Sequence, residues 1–319
     1  MSIASPTYLE QFAAEVRSGL TLPHQKELPS KYFYDELGSA LFEAITMLPE
    51  YGLTRASERL LQAHAEEIVG GLAGSVLVAE LGCGTGKRTR ALLEAAAQRL
   101  HITYCPIEIS GAALARCELE MGQVRGVTVV GYEHSYLEGL EQVLLPQRPP
   151  NTRALVLFLG SSVGNFDRPA ADEFLRQVRR LMRPGDALLL ETDLVKAPQR
   201  LIPAYADPIG LTAAFNLNIL ARLNRELEAN FDLSLFQHVA LFNSTENRIE
   251  MHLRSRVAQQ VQVAGLQVEL AAGETIWTEN SHKYRLEDLE GMARRTGFEP
   301  GMRWVDEAWP FAQSLWHVT

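Results

Sequence analysis

The sequence has few cysteines, and their arrangement narrows the classes of protein to consider. Its 319 residues contain three cysteines, Cys83, Cys105 and Cys117, which form no CxxC pair and have no spacing typical of a metal site. Such an odd and sparse number of thiols is typical of a reducing compartment. We therefore expect a cytoplasmic protein that binds no metal.

Long apolar runs and an excess of positive charge are also missing. No apolar stretch reaches the ~18 residues needed to cross a bilayer, and residues 1–20 lack the apolar segment of a signal peptide. The net charge is −9, whereas a protein that binds nucleic acid usually presents a basic face to the phosphates. We therefore expect a small-molecule ligand, with no membrane or nucleic-acid partner.

Helix-like and strand-like patterns alternate from residue 57 to residue 195. The pattern predicts strands at 75–81, 102–109, 127–132, 154–159 and 187–194, and helices at 57–73, 89–100, 110–122 and 168–182. The fourth strand is almost wholly apolar, which is typical of a strand that is buried on both faces. Alternation of this kind predicts an α/β fold with a doubly wound parallel sheet.

The alternation stops after residue 198 and returns near the C-terminus. A helix at about 208–229 and strands at 236–242, 248–256, 260–263 and 266–270 are predicted in between. A helix at 286–296 and strands at 298–305 and 311–318 would then complete a seven-stranded sheet. We therefore predict a cofactor-binding domain over 57–198 and 286–319, and a lid domain over 1–56 and 199–285. A site closed within one chain needs no second copy, so we expect a monomer.

A glycine-rich turn follows the first strand of the predicted sheet. It reads Glu80-Leu81-Gly82-Cys83-Gly84-Thr85-Gly86-Lys87, and its glycines would let the backbone approach a ligand closely. The dinucleotide fingerprint G-x-G-x-x-G would need glycine where Lys87 stands, which argues against a nicotinamide-dependent oxidoreductase. The acid before the turn favours a cationic ligand such as S-adenosylmethionine, which has an amino group and a sulfonium and no phosphate.

A second acid, Glu108, ends the second strand. It lies where the ribose diol of an adenosine would need a hydrogen-bond acceptor. Taken together, the two acids and the three glycines resemble the superfamily of S-adenosylmethionine-dependent methyltransferases. The candidate cofactor residues from this motif are Glu80, Gly82, Gly84, Gly86 and Glu108.

Three longer stretches of sequence indicate one family within this superfamily. They are KYFYDELGSALFE at 31–43 with LPEY at 48–51, FLGSSVGNF at 158–166 with RPGD at 183–186 and TDLVK at 192–196, and GLTAAFN at 210–216 with LNREL at 223–227. These stretches resemble the histidine Nα-methyltransferases, which make trimethylhistidine for ergothioneine synthesis. The resemblance extends from about residue 29 to the end of the chain. It implies a Rossmann-like class I methyltransferase sheet with an inserted α+β substrate-binding domain. It also implies S-adenosylmethionine as cofactor and S-adenosylhomocysteine as product.

The resemblance also implies roles for individual residues. Tyr34 would close over the cofactor, and Gly82 and Arg88 would contact it, Arg88 standing where the family often has lysine. The third strand usually ends in an acid that binds adenine, and here Tyr132 and Glu133 are the candidates. On the substrate side, the implied residues are Tyr51, Glu279 and Ser281 for the imidazole, Asn165 and Tyr205 for the amine and carboxylate, and Met251 for the shape of the pocket.

Two departures from the family pattern leave the substrate open. Gly52 stands where many members have a second aromatic residue, and Asn280 stands where an apolar residue is expected. Some relatives act on other amino acids, including a prenylated tryptophan. A neutral imidazole offers one donor and one acceptor, which the hydroxyl and carboxylate groups at Tyr51, Glu279 and Ser281 can pair with. Histidine is therefore favoured, while another amino acid, or a sensor that binds S-adenosylmethionine without turnover, stays an alternative.

Overall fold

The computed structural model describes residues 6–72, 74–145 and 148–319. Its helices are α1 (Pro6–Leu20), α2 (Glu36–Thr46), α3 (Gly52–Gly70), α4 (Arg90–Ala97), α5 (Gly111–Met121), α6 (Tyr136–Leu144), α7 (Arg168–Leu181), α8 (Pro198–Leu201), α9 (Leu211–Glu226) and α10 (Asp288–Arg295). Its strands are β1 (Lys26–Glu27), β2 (Ser75–Leu81), β3 (His101–Glu108), β4 (Val127–Val129), β5 (Tyr132–Glu133), β6 (Arg153–Phe158), β7 (Ala187–Asp193), β8 (Phe236–Asn243), β9 (Arg248–Ser255), β10 (Gln259–Val263), β11 (Leu266–Leu270), β12 (Thr275–His282), β13 (Glu299–Asp306) and β14 (Phe311–His317).

The chain divides into two compact units. One, which we call the insert unit, comprises the residues up to Tyr51 together with Ala197–Ser281. The other, which we call the sheet unit, comprises Gly52–Lys196 together with His282–Thr319. No helix of the described residues is both long and apolar enough to cross a membrane.

The sheet unit is built on a large mixed sheet. Its strand order is β13-β14-β7-β6-β2-β3-β4, with β5 also paired to β3. The central strands β7, β6, β2, β3 and β4 run parallel, whereas β14 is antiparallel to β7 and β13 is antiparallel to β14. Strand β7 is buried along its whole length, and β6 is buried after its first residue, as expected for strands covered on both faces. The predicted α/β fold is confirmed.

Three details of the sheet unit differ from the predictions. The third strand is interrupted, because Gly131 donates its backbone N–H to Glu118 Oε1 (3.1 Å) on α5 and so leaves the line of β4. The helix predicted at 57–73 begins at Gly52, since Gly52 and Leu53 are buried and extend its packed face. Helix α6 had no predicted counterpart, although its buried Leu140 and Val143 belong to the core of the sheet unit.

The insert unit combines a small sheet with helices. Its sheet has the order β1-β12-β9-β8, and β10 and β11 form a separate hairpin. Helix α9 packs against α2, β8 and β9, and it is tied to the N-terminal helix by Arg222, whose Nη2 donates to Tyr8 Oη at 2.8 Å. The sequence did not predict α1, α2 or β12. The predicted strands at 236–242, 248–256, 260–263 and 266–270 are present within a residue or so at each end.

Candidate cofactor and substrate residues

The glycine-rich turn joins the end of β2 to α4 in a conformation that needs glycine. Gly82, Gly84 and Gly86 have φ angles of +72°, +54° and +74°, in the left-handed region that other residues rarely adopt. A Cβ atom on Gly82 would lie 3.0 Å from Tyr136 Oη, whereas nothing lies within 4 Å of the same position on Gly84. The backbone at Gly84 is therefore accessible to a ligand, while Gly82 is held against the partly buried Tyr136.

Gly86 has a different reason to be glycine. A Cβ atom there would lie 2.7 Å from Cys117 Sγ and 3.2 Å from Met121 Cγ, both on α5. The turn can approach α5 this closely only because the side chain is missing. Gly86 therefore has a packing role, and its predicted contact with the cofactor stays a prediction.

Glu108 is fixed beside the turn by backbone donors. Its Oε2 accepts from Gly84 N at 3.1 Å, and its Oε1 accepts from Ile109 N at 2.8 Å and from Ser110 N at 3.1 Å. Burial raises the pKa of this carboxyl, and the backbone hydrogen bonds oppose that shift. A carboxylate has about four acceptor sites, so one remains available for a ligand hydroxyl at the open side of the turn.

Glu80 lies below the turn. Both of its carboxylate oxygens accept from Thr89 Oγ1 at 2.8 Å, and Oε2 also accepts from Tyr104 Oη. Burial raises the pKa of Glu80 to about 7, against the lowering effect of these hydrogen bonds and of Arg88. The described contacts therefore account for Glu80 as a clamp between β2, β3 and the start of α4. Its contact with a cationic ligand stays a prediction.

Arg88 is half-buried and lies across the end of β6. A Cβ atom on Gly160 would be 2.8 Å from Arg88 Nη1, so the guanidinium occupies the space that a side chain at 160 would need. Its positive charge lowers the pKa of the buried Glu80 carboxyl, so the guanidinium acts on carboxylates in its surroundings. Arg88 could thus serve an anionic group such as a carboxylate.

The two adenine candidates differ in their place beside Glu108. In the parallel pairing of β3 and β5, Glu133 is the register partner of Glu108 and Tyr132 is the partner of Ile107. Register partners in a sheet point to the same face. Glu133 is exposed, and its Oε2 lies 2.8 Å from the position of a Cβ on Gly111. The register therefore places Glu133 on the same face as the proposed ribose acceptor.

Asn165 ends a short 3-10 turn that follows β6. Ser161, at the start of this turn, has a φ of +60°, and its Oγ accepts from Asp193 N at 2.8 Å. Gly164 lies against the backbone of His282, whose carbonyl oxygen is 2.8 Å from where a Cβ would be. The half-buried Asn165 is therefore held by a strained residue and a close backbone approach, which is typical of a functional position.

In the insert unit, three predicted substrate residues meet. Tyr205 Oη and Ser281 Oγ are 2.6 Å apart and share a hydrogen bond, although they lie 76 residues apart in the chain. The ring of Tyr51 meets that of Tyr205 edge-on, with centroids 6.2 Å apart. All three side chains are more than 90% buried, so they form one compact polar and aromatic cluster.

The predicted cofactor residue Tyr34 is also in the insert unit, within an aromatic group. Its ring meets those of Phe42 and Phe215 edge-on, each at 5.7 Å between centroids. Phe42 in turn contacts Tyr51 at 6.1 Å. Aromatic packing therefore links Tyr34 to the Tyr51–Tyr205–Ser281 cluster.

Glu279 and Met251 lie on neighbouring strands of the same sheet. Glu279 is half-buried and two residues before Ser281 on β12, so the two side chains share a face. Its backbone carbonyl accepts from Trp277 Nε1 at 3.0 Å. Met251 on β9 is almost fully buried, and its carbonyl oxygen accepts from Thr278 Oγ1 at 3.0 Å.

Gly52, which stands where many family members have an aromatic residue, is packed against the side chain of Trp309. A Cβ atom on Gly52 would lie 2.2 Å from Cε3 of the Trp309 indole. The indole therefore fills the space in which a side chain at 52 would stand, and its Nε1 donates to Asp193 Oδ1 at 3.0 Å. The sequence analysis missed Trp309, because no local pattern links it to Gly52, which lies 257 positions away.

The second departure from the family pattern, Asn280, is half-buried on β12.

Groups of metal-ligating side chains do not occur among the described residues: no three His, Cys, Asp or Glu are placed to hold an ion. Residues around the glycine-rich turn are suited to bind a cofactor. An open backbone at Gly84, the fixed acceptor Glu108 and the cation Arg88 match the main chain contacts, ribose and carboxylate of S-adenosylmethionine in chemical type. The residues of the sheet unit therefore fit this group.

Comparisons with known proteins agree with this chemistry. The family model described as "Histidine-specific methyltransferase, SAM-dependent" matches residues 12–318. The histidine N-alpha-methyltransferase of Mycolicibacterium smegmatis is 42% identical over 98% of this chain and 97% of that protein. Ergothioneine biosynthesis protein 1 of Neurospora crassa is 28% identical over 88% of this chain and 32% of its own length. The L-tryptophan methyltransferase trpM of Psilocybe serbica is 22% identical over 96% and 92%.

Proposed function

The chain belongs to the family of histidine-specific, S-adenosylmethionine-dependent methyltransferases, and from this we propose that it methylates the α-amino nitrogen of L-histidine, up to the trimethylated betaine. The observation that carries the proposal is the match to the family and to a histidine N-alpha-methyltransferase over nearly the whole chain. The lower identity to a tryptophan methyltransferase makes tryptophan the second candidate. The name of the Neurospora relative supports a place for the product in ergothioneine synthesis.

We assign cofactor binding to residues of the sheet unit and to Tyr34. When bound, S-adenosylmethionine supplies a methyl group activated by its sulfonium. Glu108 would accept a hydrogen bond from a ribose hydroxyl, because its carboxylate is already held beside Gly84. Arg88 would pair with the carboxylate of the cofactor, and Glu133 would bind the adenine from the face that it shares with Glu108.

We assign recognition of the amino acid to the cluster of Tyr51, Tyr205 and Ser281, together with Glu279, Met251 and Asn165. The hydroxyl of Ser281 and the carboxylate of Glu279 would pair with the donor and acceptor nitrogens of a neutral imidazole. Tyr205 and Asn165 would hold the carboxylate and the amine. The buried Met251 would limit the size of the side chain.

Catalysis then consists of positioning and of proton removal. Holding two reactants in line can lower a barrier by up to ~7–11 kcal/mol without any covalent bond to the protein. The nucleophile must be a neutral amine, so an α-ammonium group must lose a proton before it reacts. The hydroxyls of Tyr205 and Ser281 share one hydrogen bond, and this pair would relay the proton from the nitrogen to water, which is its final acceptor.

We also propose that the protein acts as a cytoplasmic monomer that uses no metal and binds no nucleic acid. The net charge of −9 supports the last point. The three buried, free thiols support a reducing compartment.

Mass spectrometry of a reaction that contains the protein, S-adenosylmethionine and all twenty amino acids tests the proposal. We expect histidine to gain up to three methyl groups, with no loss of product after treatment with a chelator. Methylation of tryptophan instead would support the second candidate. Binding of S-adenosylmethionine without methylation of any amino acid would contradict both and favour a sensor.

A further inference from the structure

Tyr205 is held by its backbone as well as by its hydroxyl. It follows the 3-10 turn Ile202–Ala204, and its carbonyl oxygen lies 2.7 Å from Nε2 of His238 on β8. A carbonyl oxygen can only accept a hydrogen bond, so Nε2 of His238 carries the hydrogen and donates it. The segment that carries Tyr205 is therefore attached to the sheet of the insert unit by one imidazole.

The other nitrogen of His238 has a partner that fixes its state. Nδ1 lies 2.8 Å from Nδ2 of Asn216 on α9. The same amide group donates to the carbonyl oxygen of His252 (3.1 Å), and its Oδ1 accepts from Thr278 Oγ1 (2.7 Å). The contact with the His252 carbonyl sets the orientation of the amide, because a carbonyl oxygen can only accept, so Nδ2 is a donor and Nδ1 of His238 must be a bare acceptor. His238 is thus required to be neutral.

The surroundings of His238 agree with a neutral ring. Burial lowers its pKa, while the Tyr205 carbonyl and the carboxylate of Asp207 oppose this effect. Asp207 accepts from the backbone N–H groups of Leu211 and Thr212 at 2.9 and 2.7 Å. Its oxygens therefore cap the first turn of α9.

We propose that neutral His238 is a positioning residue that sets Tyr205 for the amino-acid end of the substrate. The inference rests on the proposed role of Tyr205 in substrate binding. Through Asn216 and Thr278, His238 is joined to β12, which carries Ser281 three residues after Thr278. One hydrogen-bonded chain thus reaches Tyr205 from its backbone, while Ser281 reaches it from its hydroxyl.

Two substitutions that differ by one methylene group test this role. In His238→Gln, the terminal amide reaches the place of Nε2 and can still donate to the Tyr205 carbonyl. In His238→Asn, the amide reaches only the place of Nδ1, so the bond to Tyr205 is lost. The exposed His24 of the same unit has no side-chain hydrogen bond in the described structure, and His24→Gln serves as the control.

Steady-state kinetics with histidine, S-adenosylmethionine affinity and melting temperature are measured for all variants. We expect His238→Asn to raise KM for histidine about fivefold, as loss of one hydrogen bond would. His238→Gln and His24→Gln should stay close to the parent protein. The affinity for S-adenosylmethionine should be unchanged in all of them, since its main residues lie in the sheet unit.

A purely structural role gives a different result. In that case, both His238 variants would lower the melting temperature and the amount of active protein, and KM for histidine would be the same in both. That outcome, or a normal KM in His238→Asn, would overturn the proposal. If the unsubstituted protein methylates no histidine, the proposed function fails first, and direct titration with the amino acid that it does methylate then tests His238.

Discussion

The glycine-rich turn of the sheet unit and the tyrosine cluster of the insert unit are built in different ways. The turn and its acids come from residues 80–108, and its polar groups are satisfied by nearby backbone and side chains, as at Glu108. The cluster brings together Tyr51, Tyr205 and Ser281 from distant parts of the chain. The hydroxyl groups of Tyr205 and Ser281 pair with each other, so a ligand can replace one polar partner by another.

We infer from this difference that the turn and the cluster bind different ligands. A turn whose geometry is fixed by positive φ angles and backbone donors is suited to bind one constant ligand. A cluster assembled from long-range contacts can change with a single substitution, as relatives with different amino-acid substrates would require. The predictions below test whether cofactor and amino acid are bound separately in this way.

We expect the largest effect from Asn165→Ala. Asn165 belongs to the sheet unit but is assigned to the substrate amine, so this variant tests whether cofactor and amino acid are bound by separate regions. We expect kcat/KM for histidine to fall about a hundredfold, since a misplaced nucleophile loses its alignment. Steady-state kinetics measure the effect. The exposed Asn151 provides the control Asn151→Ala, and unchanged kinetics in Asn165→Ala would remove Asn165 from the site.

Glu108→Gln should weaken binding of the cofactor and leave binding of the amino acid unchanged. The amide keeps the shape of the side chain but loses the charge that strengthens hydrogen bonds to ribose and backbone, so affinity for S-adenosylmethionine should fall about thirtyfold. Calorimetric titration measures it, with the exposed Glu141→Gln on α6 as control. An equal loss of histidine affinity at saturating cofactor would show that the two ligands are not bound independently.

Tyr205→Phe should weaken binding of the amino acid and leave binding of the cofactor unchanged. Loss of the hydroxyl that pairs with Ser281 should raise KM for histidine about fivefold and leave the affinity for S-adenosylmethionine unchanged. Ser281→Ala should act similarly. Because the two residues share one hydrogen bond, the double variant should be less impaired than the sum of the single effects. Full additivity would mean that the two hydroxyls act separately.

Glu80→Gln should have the smallest effect, which we expect in the pH dependence of stability. Burial raises the pKa of Glu80 to about 7 from an ordinary value of 4.5. Its contribution to stability is therefore complete below pH 4.5 and is lost as the pH rises through about 7. Between pH 6 and 8, the free energy of unfolding should fall by about 1 kcal/mol more in the parent protein than in the variant. Urea denaturation at both pH values measures this, and identical pH dependence would show that Glu80 does not titrate there.

Local sequence patterns determined the order of strands and helices in the sheet unit, because burial on both faces produces apolar runs and left-handed turns require glycine. They also placed Glu108 beside the turn, since the ends of neighbouring parallel strands lie at one edge of a sheet. The roles of Tyr51, Tyr205, Glu279 and Ser281 came from the resemblance to a family and not from a local pattern. The sequence did not predict β12 or α2, whose residues are stabilised mainly by long-range contacts.

Only the tertiary structure decided three features of the protein. It brought Tyr205 to Ser281 and His238, because hydrogen bonds between strands and distant turns leave no periodic signal in the chain. It showed that Gly86 packs on Cys117 and that Gly52 accommodates Trp309. A glycine motif states which φ angles are possible, but the neighbouring side chains decide whether the free space is filled by the protein or left for a ligand.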